Sequence, residues 1–228
     1  MAPLAKELAQ KYGVLEPMQT KLSISELVQE LKETLEENAN LPVILIGHSW
    51  GAMFSFIFTS QYPAMIKKLI LIGSAVFEEK YAKEIMNIRL SRLTSDEQVH
   101  MLELMESIDA HKDTLSRYLC KTDSFDPIHY SDEILELSPD TYERIWGEAK
   151  EMRSNGSLLE LGKLIQVPVT VIHGDYDPYP VEGVVEPLSN VISNLHCHII
   201  ENCGHNPWYE NQAKNNFFEI LINEIEMG

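Results

Sequence analysis

Four short apolar runs set the frame of this chain. Pro42-Val43-Ile44-Leu45-Ile46, the stretch from Lys68 to Gly73, Val167-Pro168-Val169-Thr170-Val171-Ile172, and His196-Cys197-His198-Ile199-Ile200 are each too short for a helix. They are rich in β-branched and aliphatic residues and bounded by turn formers, so they read as strands. Between them the apolar positions change period. Ser23-Ile24-Ser25-Glu26 is a capping-box sequence, and Ile24, Leu27, Val28, Leu31 and Leu35 after it share one helical face. Helical patterns also cover Pro3 to Lys11, Ala52 to Gln61 and Val181 to Leu188. Gly13-Val14-Leu15 reads as one further short strand, stopped by Pro17. Strand and helix patterns alternate, which predicts an α/β fold.

The alternation stops in the middle. From about Glu78 to Leu161 no segment has convincing strand character. Thr94-Ser95-Asp96-Glu97 is a second capping box, Ser138-Pro139 marks another helix start, and Tyr142 to Met152 continues that helix. A helical block of this size between two core strands predicts an insertion over the strand ends. Its apolar residues, among them Ile85, Met86, Leu90, Leu102, Met105, Leu115, Phe125 and Trp146, are expected mostly to pack the helices together, and some to line a pocket. Its carboxylates include Glu103, Glu106, Glu133, Glu136, Glu143 and Glu148, for which a solvated helix face is the common explanation.

Chemistry enters at the end of the first long strand. Gly47-His48-Ser49-Trp50-Gly51 follows Ile46 and precedes a helical stretch. A Gly-x-Ser-x-Gly between strand and helix is the context of a nucleophile elbow. The turn holds its serine in a strained backbone region, at a cost of about 1–3 kcal/mol. Glycines at 47 and 51 would avoid collision where strand and helix cross. The helix N-terminus favours the negative charge that develops on an attacked carbonyl oxygen.

A serine nucleophile needs a base, and the base needs an orienting acid. The strand at 167–172 runs into His173-Gly174-Asp175-Tyr176-Asp177-Pro178, which offers Asp175 and Asp177. The strand at 196–200 runs into Asn202-Cys203-Gly204-His205-Asn206-Pro207-Trp208. His205 there sits in a loop that glycine loosens, and can turn back across the strand ends. The order Ser, Asp, His suits the elbow, and Ser49 and the acid are both expected within hydrogen-bond range of His205. Of the chain's 8 histidines, His48 is expected to pack beside Ser49, and His173 and His198 to be structural. His100, His111 and His129 fall in the middle block as surface residues. His196, His198 and His205 form no metal-ligand pattern, because no carboxylate accompanies them at metal spacing.

GHSWG at 47–51, HGDYDP at 173–178 and CGHNPWYE at 203–210 together resemble the α/β-hydrolase superfamily, over the chain from about residue 20 to its end. The branch they are most similar to contains proline iminopeptidases and small esterases. The resemblance implies a mostly parallel sheet flanked by helices, with core residues 1–77 and 162–228 and a helical cap at 78–161. It makes Ser49 the nucleophile, His205 the base and Asp177 the acid, since the family pattern Gly-x-x-Asp after the strand selects Asp177 over Asp175. It gives the Trp50 backbone N–H as an oxyanion donor, and in proline iminopeptidases cap acids hold the substrate's amine. The chain departs from the family at its start. Several strands of the family precede the first core helix, and no His-Gly precedes Ser49 to give a second oxyanion donor. The strand at 42–46 is therefore expected to have an edge closed by residues 13–16, by a second copy in a homo-oligomer, or by a partner.

Composition narrows the class. A net charge of −17 over 228 residues argues against nucleic acid and anionic membranes, both of which need a basic face. Three cysteines, Cys120, Cys197 and Cys203, lack the spacing of a disulfide framework, and Met1 to Gly13 reads as an amphipathic helix, not a leader. A cytoplasmic hydrolase without metal or organic cofactor is expected, acting on a small ester or amide. Two alternatives stay open: an aminopeptidase of the proline-iminopeptidase type, and a weakened hydrolase fold used for binding.

Overall fold

The computed structural model describes residues 1–105, 111–128 and 139–228. His129, Glu106, Glu133, Glu136, Ser138 and the side chain of Glu143 lie outside the described residues.

Four strands, β1 (Val43–His48), β2 (Ile66–Ile72), β3 (Val169–Gly174) and β4 (Leu195–Ile200), form one parallel sheet in the order β1-β2-β3-β4. Gly47 pairs with Leu71, Ile72 with Ile172, and Val171 with Cys197. The central strands are apolar on both faces because helices cover both faces. Leu69 and Leu71 of β2 join Val169 and Val171 of β3 against α2 (Ile24–Asn38), α3 (Trp50–Gln61) and α9 (Glu182–Ser189). The alternate residues Ile70, Ile72 and Ile172 turn to α1 (Ala2–Leu8) and α10 (Lys214–Glu226), where Leu4, Leu8, Phe217 and Leu221 meet them. Between strand and layer a polar group is paired: Lys68 of β2 donates to the Glu224 carboxylate (2.5 Å) and carbonyl (2.7 Å), and Thr170 donates to the same carboxylate at 2.7 Å.

The middle block forms helices α4 (Glu79–Ser91), α5 (Ser95–Met105), α6 (Lys112–Asp123) and α7 (Pro139–Ser154), followed by the short α8 (Ser157–Glu160). The capping box at Thr94 is reciprocal: Glu97 N donates to Thr94 Oγ1 at 3.4 Å, and Thr94 N donates to Glu97 Oε2 at 3.0 Å. Leu93, Met101 and Leu115 make a small core of the insert, with Met86 and Leu90 against it. Leu102, Met105 and Phe125 stay exposed.

The expected strand at 13–15 is not formed. Val14 and Leu15 are 41% and 43% exposed, and no strand pairs with the outer edge of β1 among the described residues. Its flanks are tied elsewhere. The Met1 ammonium meets Glu16 at 3.3 Å, and Thr20 N donates to Glu30 of α2 at 3.0 Å. The segment thus bridges α1 and α2 and stands off the sheet. It leaves a cleft of about 810 Å³ lined by Leu4 and Leu8, Val14 to Gln19, Leu27 and Leu31, and the β1 residues Val43 to His48. Val43 to Ile46 are consequently only half-buried, although every one is aliphatic.

Candidate active site

β1 ends in the turn that carries Ser49. The residue sits at φ 55°, ψ −121°, in backbone territory that a non-glycine residue enters only under constraint. Two features impose it. The Ser49 N–H donates to Ile72 O at 3.1 Å, which ties the turn to β2. Gly47 lets α3 start directly over the strand, since a Cβ there would lie 2.2 Å from the Gly51 carbonyl oxygen. Gly51 is different from expectation: a Cβ on it would meet nothing within 4 Å, because it faces the open cleft beside β1. Trp50, the first residue of α3, donates its backbone N–H to no group among the described residues. Its indole Nε1 donates to Gln19 at 3.1 Å, and its ring lies 5.6 Å from that of Trp146 in α7.

The turns after β3 and β4 bring Asp177 and His205 together. His205 Nδ1–H donates to Asp177 Oδ2 at 2.8 Å. The other carboxylate oxygen accepts the Tyr179 N–H at 3.0 Å. Both side chains are almost wholly buried. Burial disfavours the Asp177 charge, but the His205 and His173 imidazoles and the donated hydrogen bonds outweigh it, and the pKa is lowered. Burial likewise disfavours imidazolium at His205, but the Asp177 carboxylate prevails and its pKa is raised. Asp175 does not meet His205; its Oδ1 accepts the Cys203 N–H at 3.2 Å and ties the two loops.

His205 is held from several sides. The Tyr179 ring stacks on it, with centroids 4.9 Å apart, and the His48 ring lies at 4.8 Å. His48 Nε2 donates to the His205 carbonyl at 2.9 Å, so His48 packs beside the elbow as its place in the motif suggested. The His205 N–H donates to Asp123 O at 2.7 Å. Arg89 of α4 forks the Asp123 carboxylate, with Nε at 2.8 Å and an Nη at 2.5 Å. The expected hydrogen bond between Ser49 Oγ and His205 is not formed; Oγ has no hydrogen-bond partner among the described residues. The imidazole is instead held through Nδ1 and by the adjacent Tyr179 and His48 rings.

Three contributors were not singled out in the sequence. Gly73, at φ 47°, makes room for the pair: a Cβ would lie 2.9 Å from His205 O and 3.2 Å from Asp177 Oδ2. A glycine closing the apolar run of β2 was its only sequence signal. Tyr179 and Arg89 had none. Gly204 was read as loosening its loop, but it marks a close approach, since a Cβ would lie 2.2 Å from Asp123 O.

The remaining candidates are accounted for. His173 Nε2 donates to Tyr179 O at 2.7 Å, and His198 bonds Glu224 at 2.8 Å. His100 bonds Tyr118 at 3.1 Å. Cys203 is buried, which pushes its thiol pKa up. Glu148 accepts the Ile24 N–H at 3.0 Å and caps α2, and Glu103 is exposed. Among the described residues, no group of three or more His, Cys, Asp or Glu is placed to hold a metal, and no helix is long and apolar enough to cross a membrane. The 810 Å³ cleft is not between the insert and the sheet, where a pocket was expected; it borders Gly47, His48 and Gly51 from the β1 side.

The human monoacylglycerol lipase ABHD6 is 24% identical over 194 residues, covering 82% of this chain and 56% of the relative. Proline iminopeptidase of Lactobacillus crispatus is 27% identical over 206 residues, covering 80% and 66%. The chain thus spans between about half and two thirds of the length of these two relatives. Among solved structures, an α/β-fold family hydrolase from Bacillus anthracis superposes with a TM-score of 0.68 at 18% identity, over 89% of this chain and 74% of that one. An esterase from Exiguobacterium antarcticum gives 0.67 at 17% identity, over 94% and 78%. The family model for serine aminopeptidases of family S33 matches residues 19–212. By that match, with the fold these structures share, the chain belongs to the S33 serine aminopeptidase family of α/β-hydrolases.

Proposed function

We propose that the chain is a serine hydrolase that cleaves a small ester or amide through an acyl-enzyme. The observation that carries this reading is the buried Asp177–His205 pair at 2.8 Å, packed 4.8 Å from the ring of His48, whose chain neighbour Ser49 is held at positive φ. His205 Nε2 takes the Ser49 proton as Oγ attacks the substrate carbonyl. Asp177 holds Nδ1–H, fixes the tautomer, and stabilises the imidazolium that forms. The free Trp50 N–H receives the oxyanion. His205 then returns the proton to the leaving group, and water releases the acyl group by the same steps. Helices α4–α7 serve as the cap that excludes water around the substrate.

Fluorophosphonate labelling tests the reading. The chain should label at Ser49, and Ser49→Ala should fold and not label. Labelling of a folded Ser49→Ala chain, or none of the wild type, would overturn it. The likeness to proline iminopeptidase supports a second substrate class. Hydrolysis of proline p-nitroanilide against short p-nitrophenyl esters decides between amide and ester.

A further inference from the structure

Glu210 closes the CGHNPWYE motif, and the mechanism gives it no role. It is 1% exposed, although it is a carboxylate. Burying such a group is costly unless donors surround it. Here they come from two separate parts of the chain. Phe125 N donates to Oε1 at 2.9 Å and Asp126 N to Oε2 at 2.7 Å, both from the segment after α6 of the insert. Gly204 N donates to Oε1 at 3.0 Å, from the residue before His205. Backbone bonds run alongside: His205 N to Asp123 O (2.7 Å), Ile128 N to Tyr209 O (2.7 Å) and Asn211 N to Asp126 O (2.8 Å). Gly204 permits this seam, because any side chain would collide with Asp123 O, Glu210 Oε1 and Ser124 Cα.

We infer that Glu210 is the positioning residue for His205, binding the insert segment 123–126 to the loop of the base so that the imidazole meets Asp177. The inference rests on the proposed role of His205, but its geometry does not depend on it. Without the carboxylate, the buried Gly204 N–H and the part-buried Phe125 and Asp126 N–H groups lose their acceptor together. The loop and the insert separate, and the His205 N–H loses Asp123 O. The imidazole then shifts, and a misplacement of about 1 Å at a catalytic group is enough to cost about 10² in rate.

The test compares Glu210→Ala and Glu210→Gln with the core variant Leu35→Ala, which lowers stability elsewhere. Two readouts are followed: the fluorophosphonate labelling rate, and the low-field proton resonance of the His205 Nδ1–H bonded to Asp177. Glu210→Ala should lose the resonance and label about 100-fold more slowly. Glu210→Gln, which keeps the volume but not the second acceptor oxygen, should fall between it and the wild type. Leu35→Ala should keep both readouts. A folded Glu210 variant with the wild-type resonance and labelling rate would overturn the inference. In the wild type, the amides of Phe125, Asp126 and Gly204 should exchange with one common protection, and clearly independent exchange would overturn it without any variant. If the wild type never labels, the hydrolase reading fails, while the resonance and the exchange still decide the role of Glu210.

Discussion

His48 donates its Nε2–H to the carbonyl of His205 at 2.9 Å, so the residue before the proposed nucleophile fastens the backbone of the proposed base. The bond fixes the His48 tautomer as Nε2–H. Burial and the neighbouring His205 imidazole hold the His48 pKa down to about 3. In the unfolded chain the same group titrates near 6.5. Below pH 6.5 the unfolded state therefore binds the extra proton, and stability should fall as pH drops from about 6.5 toward 3. Urea denaturation at pH 7 and pH 5 checks this. His48→Gln should show a smaller loss between the two pH values than the wild type, and an equal loss would refute the account.

The two aspartates of the 173–178 loop should separate cleanly. Asp177→Asn removes the carboxylate that holds Nδ1–H, and labelling at Ser49 should fall by about 10⁴. Asp175→Asn touches only the Cys203 N–H and should label within a few-fold of the wild type. Equal losses in the two variants would show that the acid has been misassigned.

The labelling rate should rise with pH through an apparent pKa above 6.5. Only the neutral imidazole accepts the serine proton, and the Asp177 charge keeps His205 protonated to higher pH than usual. In Asp177→Asn that support is gone and burial remains, so the midpoint should move down. A midpoint unmoved by the substitution would mean that another group controls the profile.

The glycines of the elbow should respond in opposite ways. Gly47→Ala drives a methyl into the Gly51 backbone and should destabilise the chain by several kcal/mol or prevent folding. Gly51→Ala places its methyl in open space in the first turn of α3, so thermal melting should show no loss, and a gain of up to about 1 kcal/mol from helix propensity. A large loss at Gly51 would mean that the cleft beside it is filled in solution.

The four strands were legible because each is a short run rich in aliphatic residues bounded by turn formers, and the sheet buries both faces of its central members. The order of Ser49, Asp177 and His205 was legible because each follows such a run. What sequence missed depends on distant partners. Val14 and Leu15 look like a strand, but Glu16 and Thr20 are tied to α1 and α2 by contacts that local pattern does not carry. Gly204 looks like a flexible hinge until the Asp123 backbone is seen against it. Besides Gly204 six residues before it, Glu210 finds two donors 84 and 85 residues away, which nothing near it in the chain announces.

Among the described residues, the strand that leads into Ser49 is also the border of the sheet. On one side β1 pairs with β2; on the other it faces the cleft. Edge strands open with less free energy than strands paired on both sides. The elbow's geometry depends on that one-sided pairing, through bonds such as Ser49 N to Ile72 O. Fraying of β1 would relax the serine out of its strained backbone long before the core of β2 and β3 melts. Inactivation and unfolding should then part company: in rising urea, labelling should disappear at a lower concentration than the helical signal does.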